Sequence, residues 1–244
     1  MLGPTLRLVT HLNVAPAAAL SPEVAAHGVI GGDTAHHVLD PDRVLGLDPL
    51  FATELQAALP ELGRQERVGW LLALPRPGHL APLRGPVALN QAAVEAGAAA
   101  IGCSAGIALV PYGVGRAVQW RVFTAEIPRP ALTTYDAERA LDHTVRRAAR
   151  VLMELDVAGG QRPIDLGVIT LPSGYDPRRR TAAEKAYRLL RACDSALADE
   201  GGALSLFEMD ARTQQLRDVR RAAADALCAA VSWEDRSEGN VASG

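Results

Sequence analysis

Residues 107–125 read IALVPYGVGRAVQWRVFTA, and they carry the clearest structural signal in the chain. Residues 107–112 are apolar throughout, as expected for a buried strand. In residues 118–125 apolar and polar side chains alternate, which is the period of a strand with one buried face. Between the two segments, Gly113 and Gly115 can adopt the positive φ values that a hairpin turn requires. This stretch therefore predicts a β-hairpin.

A further strand is predicted at residues 68–74, a compact apolar run that ends at a proline-rich turn. The alanine-rich residues 90–101 predict a helix, which Pro86 opens and Gly102 closes. A helix placed between 68–74 and 107–112 allows a crossover connection, so we expect a mixed sheet rather than a purely antiparallel one.

Three long amphipathic helices are predicted from Thr133 onward, because apolar residues recur there every three or four positions. The second helix is expected to begin at Thr181 and the third at Ser205, each with a glutamate three residues later as in a capping box. Residues 165–171, between the first two helices, read as one more strand.

The predicted fold class is thus α/β, with an α+β arrangement as the alternative. We expect a mixed sheet region with flanking helices at residues 1–130 and a helical region at 131–233 packed on it as one structural unit. The polar residues 234–244 are expected to form a flexible tail.

Composition excludes several classes of protein. The chain has 244 residues, of which 48% are hydrophobic and 22% charged, as in ordinary globular proteins. A net charge of −3 disfavours nucleic-acid binding.

No apolar run reaches the roughly 18 residues that span a membrane, and residues 6–12 are expected to form a strand rather than a signal segment. The 3 cysteines lack metal-ligand spacing, so we expect reduced thiols in a cytoplasmic protein.

Residues 102–106 match the Gly-x-Ser-x-Gly pattern of a nucleophile elbow. An elbow needs a strand before the serine and a helix after it, whereas the pattern here predicts a helix before and a strand after. A hydrolase would use Ser104 as nucleophile, with His143 as the base further along the chain. Cys103 is the other candidate nucleophile, and no histidine partner is identified for it. Because this context is wrong for an elbow, the hydrolase is the alternative and not the leading hypothesis.

Potential metal ligands are densest around Asp33, His36 and His37. Adjacent histidines on regular structure cannot both face one ion, and no His-x-x-x-His spacing is present. We therefore favour a polar loop over a metal site, and no cofactor is predicted.

A weak anion site is suggested by Arg178, Arg179 and Arg180, which precede the predicted helix start at Thr181. The alternative is a solvated surface turn. Three residues near loop ends are further candidates for ligand binding: Tyr112, Arg121 and Tyr175.

Three short motifs indicate a family relationship: residues 109–113, residues 120–123 and, before a long helix, residues 171–175. With these motifs the chain is similar, over roughly residues 68–232, to a set of uncharacterised proteins from GC-rich bacteria. The resemblance implies a similar compact architecture, and it transfers no catalytic residue to this chain. Our leading functional hypothesis is a non-catalytic accessory or regulatory protein that binds a small ligand or a protein partner.

Overall fold

A computed structural model describes residues 1–129, 132–155, 166–198 and 206–233 of the chain. These residues divide into two compact units. The first contains residues 1–129, 172–174 and 231–233, and the second contains residues 132–155, 166–171, 175–198 and 206–230.

The first unit contains a sheet and four helices. In chain order its elements are α1 (Leu2–Ala18), α2 (Pro22–Ile30), β1 (His36–Leu39), β2 (Thr53–Glu54), α3 (Leu55–Gln65), β3 (Trp70–Ala73), α4 (Val87–Ala96), β4 (Ala99–Gly102), β5 (Ile107–Val114) and β6 (Ala117–Thr124). The second unit is built from α5 (Thr134–Glu154), α6 (Pro177–Leu197) and α7 (Leu206–Val231). The last residue of α7, Val231, belongs to the first unit.

The sheet is mixed, as predicted, with the strand order β2-β1-β6-β5-β4-β3. Its parallel pair is β1 and β6, and the other neighbours are antiparallel. The predicted crossover between 68–74 and 107–112 is wrong, because β4 lies between β3 and β5 and pairs with both. The predicted hairpin is confirmed as β5 and β6, with Gly115 at a φ of 60° in the turn.

The helix predicted over residues 90–101 ends five residues early, at Ala96, and residues 99–102 form β4 instead. Gly97 ends the helix at a φ of 70°, a left-handed conformation that favours glycine. The three residues Ala99, Ala100 and Ile101 are fully buried in the sheet. Burial between neighbouring strands therefore overrides the helical preference of alanine.

Three other element predictions were wrong. Residues 6–12 lie in α1, where Leu8, Val9 and Thr10 are buried in succession, so burial does not alternate as it would on a strand with one buried face. Residues 166–171 form no strand; Gly167 has a φ of 70° there, and residue 165 lies outside the described part of the chain. The second C-terminal helix starts one turn before Thr181, where the Asp176 side chain accepts a hydrogen bond from the backbone N–H of Arg179.

The sheet separates the helices of the first unit. On one face α4 packs against an apolar cluster that includes Leu71, Ile101 and Val110. On the other side α1 contacts β3, β4 and α2, and α3 contacts α2 and β1. In the second unit Cys193 is a buried core residue beside Ala148 and Val219, in line with the spacing of apolar residues along its helix. No helix within the described residues is long and apolar enough to cross a membrane.

Candidate functional site

A buried carboxylate organises the centre of the first unit. Glu66 directly follows α3 and is only 4% exposed. Its two oxygens accept hydrogen bonds from five donors: the backbone N–H groups of Val68 (2.8 Å), Gly69 (3.2 Å), Ser104 (2.7 Å) and Ala105 (2.8 Å), and the hydroxyl of Ser104 (2.8 Å). The side chain therefore ties the end of α3 to the start of β3 and to the turn between β4 and β5.

The structure explains why both Gly102 and Gly106 of the Gly-x-Ser-x-Gly segment are glycines. A Cβ atom at Gly102 would lie 2.7 Å from Oε2 of Glu66, so only glycine leaves room for the carboxylate. Gly106 has a φ of 66°, which glycine adopts without strain. The pattern thus marks a tight turn closed on Glu66.

Ser104 lies in a strand–turn–strand connection rather than in an elbow, because β4 precedes the turn and β5 follows it. Its hydroxyl donates to Glu66. Burial alone raises the pKa of Glu66, but the hydrogen bonds from Ser104, Ala105 and Val68 outweigh burial and hold the pKa below its ordinary value. Such a carboxylate is a weak base, and its negative charge opposes ionisation of the hydroxyl.

The neighbouring thiol is also unreactive in this setting. Burial, assisted by the charge of Glu66, raises the pKa of Cys103 to about 12, so the group is a neutral thiol at physiological pH. His143, the base suggested by the sequence, lies on α5 of the second unit, where it lines a shallow depression among arginines. Within the described residues, the hydrogen bonds of Ser104 bring no histidine to the hydroxyl.

A mostly apolar cleft of about 500 Å³ opens beside Glu66 in the first unit. It is formed by the second half of α1, the start of α2, the end of α3, the start of β3 and Trp233. The polar side chains of its lining are few: His11, Asn13, Glu66 and Arg67. A concave apolar surface with a small number of polar groups is the usual form of a small-molecule site.

One wall of the cleft also covers the free edge of the sheet, since β3 is an outermost strand. The amide of Asn13 accepts from the N–H of Trp70 (2.8 Å) and donates to the carbonyls of Trp70 (2.9 Å) and Val231 (3.2 Å). Ser232 accepts from the N–H of Leu72 at 2.9 Å, and the N–H of Trp233 donates to the carbonyl of Trp70 at 2.9 Å. Asn13 and residues 231–233 together form what we call the edge cap.

The ring of Trp233 packs so closely on Gly69 that a Cβ atom there would lie 2.5 Å from the indole. Trp233 is 39% exposed and lines the cleft. Glycine at position 69 therefore allows the indole of Trp233 to pack against the backbone. Because Trp233 lines the cleft, we expect its fluorescence to change when a ligand binds there.

Two of the candidate metal ligands, Asp33 and His36, are bonded to other side chains of the protein. Asp33 forms an ion pair with Arg7 and lies 3.0 Å from Nε2 of His36. The other ring nitrogen of His36 accepts from Nε1 of Trp120 at 3.3 Å. His37 follows on the same strand, β1. Across the described ranges, no group of three or more suitable side chains is arranged to hold a metal ion.

The lowered pKa values of His36 and His11 predict that the stability of the fold depends on pH. Burial lowers the pKa of His36, although Asp33 raises it in part, and burial lowers that of His11 as well. Below about pH 6.5 the unfolded chain takes up protons that the folded protein does not. We expect the free energy of unfolding to fall between pH 7 and about 5.5, by up to roughly 1.4 kcal/mol per pH unit for each histidine.

Urea unfolding across this pH range checks the prediction. The variant His36→Gln has one titrating group fewer and should show a shallower pH slope than the wild type. Equal slopes, or a rise in stability on acidification, would contradict the assignment of a neutral His36.

Two protein-family models together match residues 5–228 of the chain. The family description "Rv1486c-like protein, N-terminal domain" matches residues 5–135, and "Rv1486c-like protein, C-terminal domain" matches residues 135–228. The chain belongs to the Rv1486c-like protein family. No curated protein and no solved structure matches it. The turn at Ser104 and most of the cleft lie in the N-terminal domain of the family, and the arginine cluster lies in its C-terminal domain.

In this Rv1486c-like protein the three adjacent arginines do not converge on one point. Arg178 lies 3.6 Å from Glu138 and over the ring of Tyr135. Arg179 is buried, and its Nε donates to the carbonyl of Ala230 at the end of α7 (2.9 Å). The Nε of Arg180 donates to the carbonyl of Tyr175 at 3.0 Å. Each side chain is engaged with the protein itself.

The remaining candidates are also separated. Tyr175 is 7% exposed and lies under Arg179, in the second unit. Tyr112 and Arg121 lie on β5 and β6 of the first unit, where Tyr112 packs partly against the core and Arg121 lies over Phe123.

The groups that shape the cleft were missed by sequence reasoning. Glu66, Asn13 and Trp233 belong to no recognisable motif. A weak signal was available for Trp233, since a tryptophan next to a polar terminal segment needs a partner surface.

Proposed function

We propose that this Rv1486c-like protein is a non-catalytic binding protein of the cytoplasm, with an accessory or regulatory role, that holds a small ligand in the cleft of its first unit. The observation that carries the proposal is the cleft itself. Its volume of about 500 Å³ falls in the range of roughly 300–1,000 Å³ typical of small-molecule sites. The three free cysteines suit a reducing compartment.

The composition of the cleft favours a largely apolar ligand. Leu12, Leu20 and Leu59 contribute aliphatic surface, and Trp70 and Trp233 contribute aromatic surface. Burying apolar area contributes about 25 cal/mol per Å², which is the main source of affinity for such a ligand. The carboxylate of Glu66 is already satisfied by five donors, so it does not demand a cation in the ligand.

The hydrolase alternative has less support. Ser104 donates to a carboxylate of lowered pKa, and Cys103 has a raised pKa, so neither group is an activated nucleophile.

A pair of matched glycine substitutions tests the cleft. Gly63 lines it, Gly32 does not, and a Cβ atom at either position meets no atom within 4 Å. We expect anilinonaphthalene sulfonate to bind the wild type with enhanced fluorescence. Gly63→Phe should weaken this binding about tenfold or more by filling the cleft, which corresponds to about 1.4 kcal/mol.

Gly32→Phe adds the same side chain outside the cleft and should bind the probe like the wild type. Equal binding by all three proteins would place the probe elsewhere. No enhancement with the wild type would count directly against a cleft that binds apolar molecules.

A further inference from the structure

The side-chain acceptors of the cleft are almost all engaged. The oxygen of the Asn13 amide accepts from Trp70, and both oxygens of Glu66 are bonded to backbone or hydroxyl donors. Arg67 can only donate, and it is exposed. This leaves the imidazole of His11 as the acceptor to consider.

The protonation state of His11 follows from its partner. Its Nδ1 lies 2.9 Å from the carbonyl oxygen of Arg7, one turn earlier in α1. A carbonyl only accepts, so Nδ1 carries the proton. Burial lowers the pKa of His11, and the ring is therefore neutral at pH 7, with a lone pair on Nε2.

The imidazole of His11 packs against Gly28 of α2. A Cβ atom at Gly28 would lie 2.1 Å from Nε2, so only glycine leaves room for the ring at this position. Among the described residues, no donor is recorded for Nε2, and His11 lines the cleft. His11 thus contributes a held, neutral ring with one acceptor nitrogen to the mostly apolar lining of the cleft.

We propose that the ligand class is an apolar molecule carrying one O–H or N–H group, which donates to Nε2 of His11. The inference rests on the proposed function, because it assigns the polar contact of the same cleft. An ether or a hydrocarbon of the same shape would fill the cleft but leave Nε2 without a partner. A site built to accept a hydrogen bond discriminates against such an analogue.

Two probes of nearly equal shape test the inference, 1-naphthol and 1-methoxynaphthalene. Binding to the full chain is followed by quenching of tryptophan fluorescence, since Trp70 and Trp233 line the cleft. We expect the wild type to prefer 1-naphthol by about five- to tenfold, as a single neutral hydrogen bond allows. In His11→Leu this preference should shrink to about twofold or less.

Retained binding of 1-methoxynaphthalene by His11→Leu shows that the variant is folded with an intact cleft. His11→Gln, which restores an acceptor, should recover part of the preference if the variant reaches the same hydroxyl. Equal affinity of the wild type for both probes overturns the assignment of His11 but leaves the proposed function standing, as does a preference that persists in His11→Leu. If neither probe binds the wild type, both proposals fail.

Discussion

Glu66→Gln is expected to lower the free energy of unfolding by about 3–5 kcal/mol, because hydrogen bonds to a charged acceptor contribute about 1.5–3 kcal/mol each. The amide of glutamine has one oxygen, and its NH₂ group would face backbone N–H donors. Ser104 and Ala105 would then lose their acceptor. Urea unfolding at pH 7 measures the change.

Glu61→Gln, within the helix α3 that Glu66 directly follows, is the matched control. Glu61 is paired with Arg64 in a partly exposed setting, and such pairs contribute about 0–1 kcal/mol. If Glu66→Gln were within about 1 kcal/mol of the wild type, the carboxylate would not hold the turn together as described.

Asn13→Asp is expected to cost about 3 kcal/mol, as the loss of buried hydrogen bonds near a new charge implies. The substitution keeps the shape of the side chain and an oxygen for the N–H of Trp70. It removes both donors to the carbonyls of Trp70 and Val231 and places a negative charge against them. The edge cap should loosen, which urea unfolding and faster proteolytic cleavage after residue 230 would reveal.

Gln56→Glu makes the same amide-to-carboxylate change at an exposed position of α3 and should leave stability within about 0.5 kcal/mol of the wild type. Unchanged cleavage in Asn13→Asp would mean that residues 231–233 are held by contacts other than the amide of Asn13.

The parts of the fold that could be predicted are those determined by residue patterns within one short stretch of sequence. The hairpin of β5 and β6 follows from alternation and from Gly115, all within one short stretch. The long helices α5 and α6 follow from apolar residues at helical spacing. β4 was missed because it begins with two alanines that continue an alanine-rich helical pattern, and its strand conformation is imposed by burial between β3 and β5.

The candidate site depends instead on long-range contacts. Glu66 meets Ser104 across 38 positions, and Asn13 meets Val231 across 218. No sequence pattern near either residue predicts these contacts, because a single glutamate or asparagine is common in any sequence. The Gly-x-Ser-x-Gly pattern was visible, but its cause, the room left for Glu66 by Gly102, appears only in three dimensions.

We propose that the first unit binds a molecule rather than reacting with it, and the sharpest test is to expose the wild type to a fluorophosphonate at neutral pH. Intact mass is measured for the wild type and for Ser104→Ala. We expect no covalent adduct on either protein, since the hydroxyl of Ser104 donates to a carboxylate of lowered pKa. A stoichiometric adduct on the wild type that disappears in Ser104→Ala would contradict the account.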